Sequence, residues 1–213
     1  MSIKLFELLL RASIYTVGIS MASILIGFAI AIGLSGALLS PKRFFKVPAQ
    51  IFISFFRGVP LLVQLLLIYN LLPAIGVNVP SIVAALVGLS LCTAAYQAEN
   101  LRGGFASVPR GLVESAEMVG LTPGQIFRRI KVPIALRLTF PALVNEAILI
   151  LKASSLVSVV GIVELTRMAQ DLAGSTFLPL DIFASAGLIY FIINWGVAQA
   201  ASVIERTLPG VPR

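Results

Sequence analysis

The sequence contains no histidine and only one cysteine, Cys92, among its 213 residues. These absences exclude a disulfide framework, zinc sites built from histidine and cysteine, and acid–base catalysis by histidine. Charged residues are also scarce, at 12% of the chain against roughly 25% in soluble domains, while apolar residues reach 58% against roughly 45–50%. This balance predicts a protein that resides in lipid, with Cys92 as a small buried hydrophobic residue.

The chain also lacks the motifs with which proteins bind nucleotides or metals. No G-x-x-x-x-G-K-[ST] phosphate loop is present, because the stretch GLVESAEMVGLT is not followed by Lys-Ser or Lys-Thr. The sequence offers neither a His-Glu-x-x-His motif nor a nucleophile–base pair, which an intramembrane peptidase or acyltransferase would need. We therefore expect no catalytic site, no metal and no cofactor in this chain, and energy for any work would come from a partner.

Apolar runs long enough to cross a membrane recur along the chain. A span needs about 20 mostly apolar residues to cross roughly 30 Å of hydrocarbon. The second run carries Arg57-Gly58-Val59-Pro60, so it is either an interfacial helix followed by a shorter span or one broken helix. The first run is too long for a cleaved signal peptide. The sequence predicts an all-α integral membrane protein, residues 1–213 as one domain, with five spans at about 13–39, 47–72, 80–101, 134–160 and 182–204.

Lysine and arginine residues cluster in short segments beside these runs. The net charge of +7 is distributed as the positive-inside rule describes for a protein in contact with lipid, and not as a nucleic-acid-binding surface. The rule places the C-terminus, with Arg206 and Arg213, in the cytoplasm. Five spans then place the N-terminus outside, against the weak contrary signal of Lys4 and Arg11. The segments assigned to the cytoplasm contain Lys42, Arg43, Lys46, Arg102, Arg110, Arg128, Arg129, Lys131 and Arg137.

The longest of these cytoplasmic segments, residues 107–133, is predicted to fold into two short helices. Ser107 is a candidate cap for the first helix, and Gly120 can end it in a left-handed conformation. Thr122 and Gln125 then form a capping box, with Pro123 at the first helical position. A loop that only connects two membrane spans does not need two capped helices. The segment is therefore expected to dock to a partner, although a solvated loop held to anionic lipid is the plainer alternative.

The same segment resembles the signature loop of permease subunits of binding-protein-dependent ABC importers. That loop reads Glu-Ala-Ala, three residues, Gly, nine residues, Ile-x-Leu-Pro, and the chain departs from it at Ser115 and Val132. In the family the loop is the coupling helix that fits a groove on the ATPase, so we name residues 107–133 the coupling segment. The resemblance assigns coupling roles to Glu114, Ser115, Ala116, Gly120, Ile130 and Pro133.

The resemblance extends over nearly the whole chain. FFRGVPLLVQLLLIY, AAYQAENLRGG, SVPRG and NEAILILKASSLVSVVG are similar to the polar amino acid branch, the histidine, glutamine and arginine type, although Ala153 stands where that branch usually has an acidic residue. It implies a methionine-importer-like fold in a bacterial inner membrane. It also implies two ATP-binding subunits that hold ATP and magnesium, a second identical or homologous permease, and a periplasmic or lipid-anchored binding protein. An opine or another amino acid derivative as substrate stays open, as does, more remotely, an ATP-independent secondary transporter or channel.

Besides Arg137, which is assigned to a cytoplasmic segment, four charged residues fall inside the predicted spans, where a charge usually faces the bundle interior and carries a function. Arg57 and Glu99 are predicted to form a structural ion pair. Glu146 and Lys152 lie on one span, about 120° apart, which makes them poor direct partners. Both could still border one wide cavity and bind the ammonium and carboxylate groups of an amino acid. The alternative to substrate binding is a structural pair with another helix, or, for Lys152, a side chain that extends toward the outer membrane surface. For Gln64, the alternative is a hydrogen bond between helices. The candidates for the substrate path are Glu146, Lys152, Asn145, Ser154, Ser155 and Gln64.

Overall fold

The computed structural model describes residues 3–74 and 76–207, except for the side chains of Leu72 and Thr207. The predicted domain of residues 1–213 extends beyond these ranges at both ends, and Arg213, used above to orient the chain, lies outside them. Every regular element in the described ranges is helical. The α-helices are α1 (Ile3–Leu39), α2 (Arg43–Gly58), α3 (Leu61–Ala74), α4 (Ser81–Ala106), α5 (Arg110–Met118), α6 (Pro123–Ile126), α7 (Val132–Ala153), α8 (Leu165–Thr176) and α9 (Pro179–Thr207), with a π-helical turn at Phe127–Lys131 and a 3-10 helix at Ser154–Val160.

Four stretches are long and apolar enough to cross a membrane: α1, α4, the run Pro123–Val160 and α9. A fifth follows if α2 and α3 together count as one span. Helix α1 begins at Ile3 and not near residue 13, because a helix tolerates the polar residues that interrupt the apolar pattern. Arg11 and Glu7, for example, form an exposed ion pair one turn apart, at 2.6 Å. The 37 residues of α1 measure about 55 Å, which exceeds the roughly 40–45 Å of a whole bilayer.

The second predicted span is two helices, α2 and α3, bent by 106°. The break follows from Pro60, which disfavours helical backbone in the residue before it, and Val59 is extended, with φ −93° and ψ 134°. The amide nitrogen of Gln64 donates to the carbonyl oxygens of Phe56 and Val59, at 2.9 and 2.7 Å. Gln64 thus satisfies carbonyls that the end of α2 leaves open.

Helix α4 occupies the centre of the bundle, and small residues let its neighbours approach. A Cβ atom added to Gly27 of α1 would lie 2.9 Å from the backbone oxygen of Ser90, and one added to Gly104 would lie 2.8 Å from that of Ala135 in α7. Alanines fill much of the buried face of α4. Such small residues are typical of helix contacts in membranes, where close packing replaces the hydrophobic effect.

Helix α8 lies between two of the predicted spans, in a segment where no helix was predicted from the sequence. Its N-cap is Glu164, which is fully buried and accepts hydrogen bonds from the backbone N–H groups of Thr166 and Arg167, at 2.9 and 2.8 Å. The Tyr190 hydroxyl on α9 also donates to this carboxylate, at 3.0 Å, and Thr16 on α1 lies 3.5 Å from it. Burial raises the pKa of the Glu164 carboxyl, while these donors oppose that effect. One cap thus joins three helices.

Candidate functional site

The coupling segment begins with α5, which ends as the sequence predicts. Gly120 is left-handed, with φ +83°. Its N–H donates to the Glu117 carbonyl at 2.9 Å, and the N–H of Leu121 donates to the Ala116 carbonyl at 3.1 Å. This pair of bonds is a Schellman motif, which satisfies the last carbonyls of a helix and favours glycine at its left-handed residue.

The start of α6 also follows the prediction. The backbone N–H of Thr122 donates to the Gln125 side chain at 2.9 Å, and the N–H of Gln125 donates to the Thr122 hydroxyl at 3.4 Å. The predicted cap at Ser107 is wrong, because its hydroxyl donates to the Gly103 carbonyl at 2.9 Å and so belongs to the end of α4. Helix α5 has Pro109 at its N-cap, without a side-chain hydrogen bond.

Pro133 does not interrupt the helix in which it lies. From Pro123 the helix runs through the π turn and α7 without a break. A proline inside a helix cannot donate a hydrogen bond and collides with the carbonyl four residues earlier. The wider π turn stands directly before Pro133, where it can accommodate that misfit. The last part of the coupling segment is therefore the first part of a membrane span.

The tip of the coupling segment presents apolar side chains to solvent. Met118 and Val119, next to Gly120, are 88% and 76% exposed. Ile126 is buried, and Phe127 stacks on Phe105 of α4 with the ring centroids 5.7 Å apart. Of the residues with predicted coupling roles, Ala116 is buried, Ile130 is half-buried, and the exposed ones are Glu114, Ser115, Gly120 and Pro133.

Acidic and basic residues surround a hollow beside this tip. A cavity of about 380 Å³ lies between the end of α4, α5 and the π turn, bordered by Glu114, Glu117, Arg110 and Lys131. Within the described residues, none of these four forms an ion pair. Their charges are therefore available to a docking partner.

The predicted ion pair between Arg57 and Glu99 is replaced by a local one. Glu99 accepts from Arg102, one turn along α4, with the guanidinium Nε 3.0 Å from both carboxylate oxygens. Arg57 instead places its guanidinium 5.3 Å from the ring centroid of Tyr96. A partner on the same helix costs less conformational entropy than one on another helix, and this explains the correction.

Among the described residues, Glu146 and Lys152 lie in different surroundings, and the shared cavity stays a prediction. Glu146 is only 6% exposed and faces Thr93 and Cys92 of α4, and Cys92 is buried as predicted. Lys152 is exposed and borders a cavity of about 500 Å³ between α7 and α9. Six residues of helix rotate the two side chains about 120° apart, so they face different neighbours.

An exposed stripe on α7 brings two of the predicted path residues together. Asn145, Leu149 and Lys152 are exposed at helical spacing, so they share one face. Across the cavity from Lys152, α9 contributes Tyr190, Asn194 and Trp195. The sequence reasoning missed these three, although an amide and two amphipathic aromatics within six residues of a span are a usable signal.

Two of the remaining candidates, Ser154 and Gln64, use side-chain groups to bind backbone carbonyls. The hydroxyl of Ser154, which is fully buried, donates to the Leu151 carbonyl at 2.8 Å. Ser155 is half-buried, and its carbonyl accepts from Ser158 at 2.8 Å. Gln64 uses its amide nitrogen at the end of α2, and only its buried side-chain oxygen lacks a partner among the described residues.

Comparison with known proteins gives consistent likenesses. The model of the family described as binding-protein-dependent transport system inner membrane component matches residues 10–208. An octopine transport system permease protein of Rhizobium radiobacter is 37% identical over 87% of this chain and 80% of its own length. The crystal structure of an amino acid ABC transporter with histidines has a chain similar to this one, with TM-score 0.91 and 33% identity over 98% of this chain and 100% of that chain. A chain of the inward-facing MetNI methionine ABC transporter superposes with TM-score 0.83 over 99% of this chain and all of its own, at 21% identity, a likeness of fold alone.

Proposed function

Since this chain belongs to the family of binding-protein-dependent transport system inner membrane components, we propose that it is the permease subunit of an ABC importer for a polar amino acid. The solute would cross the membrane between helices of this chain and of a second permease, identical or homologous. A chain with five spans cannot contain two equal inverted halves, so a closed pathway needs that second subunit.

The proposal places energy conversion in other subunits. Two ATP-binding subunits would hold ATP and magnesium, and a periplasmic or lipid-anchored binding protein would deliver the solute. The chain would lie in a bacterial inner membrane, with the coupling segment and the C-terminus in the cytoplasm and the N-terminus outside. The charge distribution of the loops supports this orientation.

One observation carries the proposal: the coupling segment has an exposed tip and is continuous with a membrane span. Met118 and Val119 offer apolar surface for docking, and the charged residues of the neighbouring cavity lack ion-pair partners among the described residues. A force applied near Pro123 passes through the π turn into α7, which carries Glu146 and Lys152. Rigid-body movement of such an element is a common way to switch between two states.

The exposed stripe on α7 is the part of the substrate path that the geometry supports best. Lys152 offers an ammonium group to a solute carboxylate, and Asn145 offers an amide on the same face. The Trp195 ring beside Lys152 provides a surface for a cationic group. Glu146 stays a candidate acceptor for the ammonium group, but α4 and α7 would have to separate before a solute reaches it.

An opine is the second candidate substrate. It is favoured by the identity of 37% with an octopine transport system permease protein. Both candidates require the same coupling mechanism, and ligand-dependent ATPase stimulation over a panel of amino acids and opines would separate them.

Gly120→Leu tests the coupling role directly. A Cβ atom at Gly120 meets nothing within 4 Å, so the change acts through the left-handed backbone and the docking surface and not through a clash inside the chain. A non-glycine residue in this conformation costs about 1–2 kcal/mol. We expect ATP-driven uptake by the assembled importer to fall at least tenfold, about 1.4 kcal/mol of coupling, while the amount of permease in the membrane is unchanged.

Gly111→Leu is the matched control. Gly111 lies in α5, and a Cβ atom there also meets nothing within 4 Å, but its backbone is helical. This variant should keep most of the uptake. Normal uptake by Gly120→Leu would remove the coupling segment from the mechanism.

A further inference from the structure

A polar cavity lies at the end of the bundle that the proposed topology places in the cytoplasm. It has a volume of about 510 Å³ and is bordered by the last turn of α1, by α2 and by the last turns of α4. Along α2, the polar side chains Lys46, Gln50, Ser54 and Arg57 recur at helical spacing and form one wall. The opposite wall is formed by α4.

Positive charge dominates this cavity. Lys46, Arg57 and Arg102 contribute three cations, against the single carboxylate of Glu99. Glu99 is already occupied by the Arg102 guanidinium. Among the described residues, Lys46 and Arg57 form no ion pair within 4 Å. Arg57 lies against the Tyr96 ring, and its charge also acts on the carboxylates of Glu99 and Glu146 from a longer distance. The lining of the cavity therefore has a net positive charge, which an anion can neutralise.

The depth of the cavity matches that of lipid headgroups. Glu99 and Arg102 precede Ala106, the last residue of α4, by seven and four residues, which is about 10 and 6 Å of helix. The headgroup layer of one leaflet is roughly 5–8 Å thick. Large apolar side chains on α2 are exposed beside the cavity and would lie among acyl chains: Phe44, Phe45, Ile51 and Phe55.

We propose that this cavity binds the phosphate headgroup of an anionic phospholipid of the cytoplasmic leaflet. Basic pockets between membrane helices on that side are the usual geometry for such lipids. The planar guanidinium of Arg57 can bind two phosphate oxygens at once, with Lys46 as a second point charge. The bound lipid would hold α2 against α4. This proposal goes beyond transport of the solute and rests only on the membrane orientation proposed above.

Native mass spectrometry of the purified full chain with added phosphatidylglycerol tests the proposal. The double variant Lys46→Gln/Arg57→Gln should weaken retention of the lipid about 30-fold. Each cation near the membrane surface strengthens binding of an anionic lipid about fivefold, and the variant removes two. Arg57→Lys alone should keep most of the binding, since the charge remains. Lys42→Gln/Arg43→Gln is the matched control, because it removes two neighbouring exposed cations that do not border the cavity. Equal losses from the two double variants would overturn the proposal, since they would show attraction to a basic surface in general.

A measurement on the wild-type chain covers the case in which a variant does not fold. Phenylglyoxal modifies accessible arginines, and peptide mapping reports the extent at Arg57. Phosphatidylglycerol should protect Arg57, whereas phosphatidylcholine should not. Equal protection by inorganic phosphate would show a site for a free anion, and protection by amino acids would show that the cavity belongs to the solute path. Either result would overturn the lipid proposal.

Discussion

Glu164 illustrates, at the scale of single residues, how one carboxylate organises a membrane bundle. It caps α8 and also accepts from Tyr190 of α9, close to Thr16 of α1. Its two oxygens serve only as acceptors, and every group around them donates. The site is therefore specific for a carboxylate and not merely for a polar side chain.

Glu164→Gln should destabilise the protein by about 1–3 kcal/mol, because the new amide nitrogen can only donate and leaves at least one buried donor unpaired. The loss should appear as a lower Tm for the chain in detergent. Asp171→Asn is the matched control in the same helix, since Asp171 forms an exposed ion pair with Arg167, at 3.2 Å. That change should cost no more than about 1 kcal/mol. An equal Tm for the two variants would mean that the buried cap contributes nothing special.

Local residue chemistry could be predicted from the sequence, and contacts between helices could not. The left-handed Gly120 and the Thr122–Gln125 box depend on residues within one turn, so their pattern contains all the information. The pair of Glu99 with Arg102 is also local, at i and i+3 of one helix, and the sequence reasoning overlooked it. The contact of Arg57 with the Tyr96 ring joins two helices, and no local pattern encodes it.

At the scale of helices, the crossing of α4 and α7 depends on adjacent glycines that differ in their surroundings. A Cβ atom on Gly104 would collide with the Thr139 hydroxyl oxygen and lie 2.8 Å from the Ala135 carbonyl oxygen. A Cβ atom on Gly103 meets nothing within 4 Å. The same substitution at the two positions thus separates packing from helix propensity.

Gly104→Ala should push α7 away from α4 and cost about 1–3 kcal/mol, the usual penalty for overpacking. Gly103→Ala should instead be neutral or stabilising by up to about 1 kcal/mol, because alanine is the better helix former. Thermal unfolding in detergent compares the two. If Gly104→Ala were as stable as Gly103→Ala, the close approach of these helices would be wrong.

The long helices follow the predicted apolar runs but extend beyond most of them, and three further features of the elements were not predictable. The sequence left open how sharply the predicted span at about 47–72 breaks, and the structure shows a bend of 106° at Val59–Pro60. Helix α8 is short and carries charge, so the apolar pattern does not reveal it. The continuity of α6 with α7 was hidden because Pro133 usually signals a boundary.

At the scale of the whole molecule, the all-α importer-permease fold predicted from the sequence is confirmed by the match to an amino acid ABC transporter chain and by the likeness to the MetNI methionine transporter. The single domain, the residues of the coupling segment and the substrate path stay predictions. The packing of the helices determines which of these side chains lie together. Glu146 is buried, whereas Lys152 borders a cavity with aromatic residues of α9.

The account depends most on the claim that other subunits supply the energy. The direct measurement is solute accumulation by proteoliposomes that contain the purified permease alone, compared with proteoliposomes of the complete importer supplied with ATP. We predict accumulation against a gradient only in the complete importer. Accumulation by the permease alone would contradict the claim.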